Sequence, residues 1–286
     1  MLNFRYHALS LVAVFLSLAI GLLLGVAIGD KGLVSSAEQD VRASLRGDVR
    51  DAQAARDDAL AQLQQRQQFE REAYPALVGS RLTGRRIALI ELGSASDRMW
   101  NLTKDALQGS GAALVSVSVI REPLRLDELA AAAHGTRYEQ LAEDPDTLLH
   151  PFATRLGLQF THGGRLLRLV RRDLLQQGSG ALNGADGVVV VRNAPELDGD
   201  EADALATFED GFMRGLRAQD VPVVGVETSD AESSQVDWFK EHELSSVDDL
   251  DDPIGRAALV FALAGERGSF GVKPTADGGR LPPLLQ

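Results

Sequence analysis

RRIALIELGSASD, residues Arg85 to Asp97, decides the fold. A basic pair leads into an apolar run ending near Leu92, and Gly93 opens a short polar turn ahead of a helical pattern reaching about Gln108. Continuous aliphatic runs of this length mark strands buried on both faces. Ala112–Ile120 (AALVSVSVI), Gly187–Val191 (GVVVV) and Val221–Val226 (VPVVGV) repeat the signal, and Ala202–Ala218 reads as a helix between the last two. Strands separated by crossover helices predict a parallel sheet, hence a three-layered, Rossmann-like α/β domain over 81–264. Right-handed crossovers give the order second, first, third, fourth, as in flavodoxin-like sheets.

Working outward, the insert between the second and third strands, 123–177, reads helical at Asp127–Ala133, Tyr138–Ala142, Pro145–Leu156 and Leu166–Gln176, with a break at Gly163-Gly164. It is too long for one crossover helix and predicts a small helical lobe over one edge of the sheet. Beyond the fourth strand, Ser234–Glu243 reads as a short helix. Asp252 and Pro253 then read as the N-cap and first residue of a helix through Leu263. The Gly- and Pro-rich tail, 265–286, is expected to be loosely ordered.

Upstream, Ala8–Gly29 (ALSLVAVFLSLAIGLLLGVAIG) runs for 22 residues without a charge. At about 1.5 Å per residue the helix is roughly 33 Å long, enough to cross a bilayer core of about 30 Å. A cleavable signal peptide is the alternative, but its apolar region spans only about 7–15 residues. The expectation is a transmembrane anchor, 1–30, with the N-terminus cytoplasmic and the main domain outside, set by Arg5 before the span and an acidic segment after it. Ala13, Ser17, Gly21, Gly25 and Gly29 recur at four-residue spacing, the small-residue stripe through which membrane helices approach one another. A homo-oligomer or a membrane or envelope protein partner is the implied company.

Between anchor and domain, 31–75 is rich in Ala, Arg, Asp, Glu and Gln. Its apolar residues Val34, Val41, Leu45, Val49, Ala52, Leu60, Leu63 and Tyr74 recur nearer every eleven residues than seven, which predicts a nearly straight or weakly right-handed coiled-coil-like stalk. A single helix lying against the body of the protein is the alternative, and Gly47 interrupts the pattern.

Composition removes several functions. A net charge of −12 argues against nucleic acid as a partner and against an anionic membrane surface held through a basic patch. Cysteine is absent, which excludes disulfides, thiolate metal sites and a cysteine nucleophile. His7, His134, His150, His162 and His242 form no HxH or HxxxH pair, and no serine, histidine and carboxylate order reads as catalytic. Helix capping and solvation account for the acidic run Glu243, Asp248, Asp249, Asp251 and Asp252, whose spacing is not that of an EF-hand. In open parallel sheets, ligands sit beyond the carboxyl ends of the strands where strand order reverses. That edge gives a candidate pocket of Ser94 and Ser96, Arg192 and Asn193, and Thr228 and Ser229, although GSASD is neither a Walker loop nor GxGxxG.

The opening NFRYHALSLVAVFLSLAIGLLLGVAIG, Asn3–Gly29, resembles the signature of the actinobacterial copper transporter family named for mycobacterial copper transport protein B. The closing SSVDDLDDPIGRAALVFALAGERGSFGVKPTADGGRLPPLL, Ser245–Leu285, is similar to that family's ending. The resemblance implies a membrane-associated protein of copper transport or homeostasis. It also implies kinship with single-span partners of actinobacterial cell-separation machinery that act through the stalk on peptidoglycan hydrolases. Copper enters through the resemblance alone, and it assigns no metal ligands here. Of its motif, His7 beside Arg5 lies at the inner mouth of the span. Since one helix encloses no pore and no outer-membrane barrel pattern is present, conduction would need an oligomer or another subunit.

The expectation is a non-enzymatic bitopic envelope protein in copper handling. A scaffold or regulator of cell-wall machinery is the alternative, and an enzyme with a small nucleotide or sugar at the strand ends is third.

Overall fold

β1 (Arg86–Gly93) sits at the centre of a seven-stranded sheet ordered β3-β2-β1-β4-β5-β6-β7. Its neighbours are β2 (Ala113–Ile120) and β4 (Gly187–Asn193), both parallel to it, followed outward by parallel β5 (Val223–Val226), β6 (Ser245–Val247) and β7 (Ser269–Phe270). β3 (Leu175–Gly180) closes the other edge antiparallel to β2. The four strands legible in the sequence therefore lie in the expected order. The computed structural model describes residues 4–29, 31–180, 184–193 and 195–283. The chain divides into two compact units, Met1–Gln68 and Phe69–Gln286.

In the second unit, alternation along the strands sends side chains to two cores. Ile87, Leu89, Val189, Val191, Val224 and Val226 pack with α3 (Asp97–Leu107) and α9 (Pro253–Ala264) on one face. Ile90, Leu92, Val188 and Val190 pack on the other face with α4 (Leu126–Ala132), α5 (Pro145–His162), α6 (Arg165–Leu174), α7 (Asp200–Arg217) and, through Phe239, the short α8 (Val236–Glu241) expected within 234–243. Phe152, Phe208 and Phe212 are fully buried there, each worth about 1.5–3 kcal/mol over an exposed position. α5 and α7 meet backbone to backbone: a Cβ on Gly157 would lie 2.3 Å from Phe212 O, and one on Gly215 2.2 Å from Thr154 O. Only glycine permits that approach.

The insert supplies α4, α5 and α6, while Tyr138–Ala142, read as helix, forms turns in which Tyr138 and Leu141 are buried. Leu175 and Gln176, read as helical, instead open β3. The tail corrects its compositional reading too. β7 pairs with β6, Phe270 is 2% exposed, and Asp248 accepts the N–H groups of Val272 (2.8 Å) and Lys273 (3.1 Å). Short extended segments without a Val or Ile run leave no periodic signal, and long-range contacts order them.

In the first unit, α1 (Phe4–Ile28) carries an apolar stretch, Tyr6–Ala27, of mean hydropathy 2.6, long and apolar enough to cross a membrane. α2 (Lys31–Val78) begins in this unit and runs unbroken through Gly47. Val41, Leu45, Val49, Leu60 and Leu63 on it are each about half exposed. In the second unit the same helix continues through Pro75; the Tyr74 hydroxyl donates to Ala106 O at 2.7 Å, and Val78 is fully buried. Asn3, the side chains of Arg5 and Val34, and residues 284–286 lie outside the described residues.

Candidate functional site at the strand ends

Strand order reverses between β1 and β4, and their carboxyl ends are held in contact. Gly93 adopts φ +90°, and a Cβ there would lie 2.3 Å from Asn193 O. The Asn193 side-chain amide donates to Ser94 O at 3.0 Å, tying the two loops together. Ser96 caps α3 by accepting from Met99 N at 3.2 Å, while its own N–H donates to Glu91 at 2.6 Å. Ser96, Arg192, Asn193 and Thr228 line one cleft of about 370 Å³, with Arg98, Met99, Asp230 and Gln235. Ser94 and Ser229 flank it, and Ser229 donates its N–H and hydroxyl to Asp251, each at 2.7 Å.

The strand-end cations are each paired with a carboxylate of the protein. Arg192 grips Glu209 with Nε at 2.7 Å and Nη2 at 2.9 Å, donates Nη1 to Gln235, and stacks 4.7 Å over Trp238. A bidentate pair with a carboxylate that is 1% exposed makes Arg192 a structural clasp. Lys273 reaches from the tail to Glu227 at 2.6 Å and to Thr228 O at 3.1 Å. Arg280 pairs with Asp249 and Asp252, and exposed Arg98 with Asp230, whose carboxyl it holds down at about 2.

Glu91 and Glu122 have no ion-pair partner among the described residues. Burial, opposed by the Ser96 N–H, pushes Glu91 up to about 7. Burial and then the Glu209 charge, opposed by Arg192, push Glu122 up to about 8, and neither of its carboxyl oxygens has a hydrogen-bond partner among the described residues. Glu91 announces itself as the one acid within an apolar strand run, whereas Glu122, Glu209 and Lys273 carry no sequence signal. The acidic run is also more structural than solvation implies. Asp252 caps α9 through Ile254 N at 2.8 Å, as expected, but Asp248 and Asp249 are at most 1% exposed and fasten the tail.

Among the described residues no three His, Cys, Asp or Glu side chains form a group able to hold a metal ion. His150 Nε2 lies 2.9 Å from Asp210, His242 Nδ1 donates to Trp238 O at 2.8 Å, and His7 is exposed on α1. In the small-residue stripe, Ser17 donates to Ala13 O, a Cβ on Gly21 or Gly25 would meet nothing within 4 Å, and Gly29 follows the last turn of α1.

The sequence model of a family described as copper transport outer membrane protein, MctB, matches residues 1–280. No curated protein matches the chain.

Proposed function

We propose a non-enzymatic role in copper transport across the cell envelope for this chain, which belongs to the MctB family of copper transport outer membrane proteins. The observation that carries the reading is the extent of the match, residues 1–280, which takes in the apolar helix as well as the α/β unit. Copper is the cargo. α1 anchors the chain by a single pass, N-terminus cytoplasmic, and the α/β unit stands outside.

One helix encloses no conduit, so copies of the chain or a membrane partner complete the path. Ala13, Ser17, Gly21, Gly25 and Gly29 provide the face for close helix pairing. The exposed apolar line of α2, Val41 to Leu63, adds a coiled-coil seam between copies. The polar strand-end cleft, its arginines and acids cross-paired, acts in the fold or toward a small polar ligand.

Deleting the chain from its host is expected to raise cell-associated copper, measured by mass spectrometry. Full-length protein restores the level, and Gly25→Leu, at a position where an added Cβ meets nothing within 4 Å among the described residues, does not. Unchanged copper in the deletion strain contradicts the proposal. A second reading, a bitopic scaffold for a peptidoglycan hydrolase or another cell-wall partner, draws on the same exposed line of α2. It predicts that Leu60→Glu or Leu63→Glu abolishes cell separation while copper levels stay normal.

A further inference from the structure

The net charge of −12 conceals one strongly basic surface. α6 buries Leu166, Leu167, Val170 and Leu174 and turns Arg165, Arg168, Arg171 and Arg172 to solvent. None of these arginines, nor exposed Arg155 of α5, has an ion-pair partner among the described residues. Arg98, Arg192, Arg217 and Arg280, by contrast, each sit against a carboxylate.

Three guanidiniums share a cleft between α5, α6 and the turn before Tyr138. Arg137, Arg155 and Arg165 line about 370 Å³ together with Thr136, Tyr138, Gln159 and Leu166, and no carboxylate is among the lining groups. The neutral groups there have largely spent their acceptors. The Gln159 amide oxygen, on a side chain in a residue only 7% exposed, accepts Leu167 N–H at 3.0 Å, which leaves its NH2 donors. Tyr138 accepts from Arg137 and donates to Pro151 O at 3.1 Å. A guanidinium fork matches the oxygens of a phosphate bidentately, and like charges gathered without a counter-charge are relieved by an anion. The volume lies at the small end of ligand sites, roughly 300–1,000 Å³, and suits a headgroup better than a polymer.

We propose that this cleft binds the phosphate group of an anionic ligand, either free phosphate or the phosphodiester of a lipid headgroup. The site stands on a surface separate from the strand-end cleft and does not depend on copper transport.

The test is isothermal titration calorimetry on the full chain in neutral detergent, with inorganic phosphate in one arm and glycerophosphoglycerol, a soluble lipid headgroup, in the other. Either probe is expected to bind at low ionic strength and to weaken at least tenfold in Arg155→Gln/Arg165→Gln, with Arg217→Gln on α7, an arginine already paired with Glu243, unchanged. The arm that binds more tightly identifies the source. Arg155→Lys, which keeps the charge and loses the fork, is expected to weaken binding severalfold and guards against misfolding of the double variant. Absence of binding in both arms, equal binding by the double variant, or binding of an oligoglutamate peptide alone overturns the proposal.

Discussion

Replacing Arg192 by methionine separates a structural clasp from a ligand-binding arginine. The substitution removes both bonds to Glu209 and the bond to Gln235, leaving a carboxylate in a residue 1% exposed without a cation. Breaking a buried pair from one side costs about 3–5 kcal/mol. The Arg192 side chain is 18% exposed, so water can partly replace it, and the expected loss is about 2–4 kcal/mol. The assay is urea unfolding of the full chain in neutral detergent, followed by tryptophan fluorescence, since Trp238 lies under the guanidinium. With a slope of about 2 kcal/mol per M, the midpoint falls by about 1–2 M. Adding Glu209→Gln removes the stranded charge and is expected to return most of the loss. A shift below about 0.5 kcal/mol in Arg192→Met would refute the clasp and return Arg192 to the pool of free ligand contacts.

Three further outcomes follow from the same geometry. Glu122 has its folded pKa raised to about 8 from 4.5, so the folded state holds a proton the unfolded state has lost between those values. Stability therefore declines as pH rises from about 4.5 to about 8, and Glu122→Gln flattens that decline by a few kcal/mol in unfolding measured across pH. Lys273→Met strands Glu227, 6% exposed, and is expected to cost about 1–3 kcal/mol and to speed hydrogen exchange in 269–280, with unchanged exchange as the contrary result. Gly215→Ala places a Cβ 2.2 Å from Thr154 O, so the α5–α7 contact must open at a net cost of about 1–3 kcal/mol, read as a drop in Tm; an undiminished Tm would contradict the close packing.

What could be read ahead of the structure had periodic causes. The apolar runs of β1, β4 and β5 reflect strands buried on both faces, β2 shows itself by its recurrent valines, and the order of the four followed from the handedness of crossovers. The cap at Asp252 and Pro253 was visible because it is local. β6 and β7 were invisible because they are only three and two residues long, and β3, LQQGSG, because it is an exposed edge strand beside β2 with no apolar run. The tail was misjudged because composition does not report that Asp248, about 25 residues upstream, holds Val272 and Lys273.

At the site, strand-end polarity located Ser96, Arg192, Asn193 and Thr228 in one cleft, but not what they do there. Arg192 reads as an available cation until Glu209 is seen beside it, one helix and 17 residues away. Lys273 completes Glu227 from 46 residues downstream, a pairing with no local spacing to betray it.

The most direct test of the central claim is copper flux into liposomes carrying the purified full-length protein. Flux above that of empty liposomes, abolished by Gly25→Leu although an added Cβ there meets nothing within 4 Å among the described residues, is the predicted result. No flux from well-inserted protein would contradict a conduit built from copies of this chain.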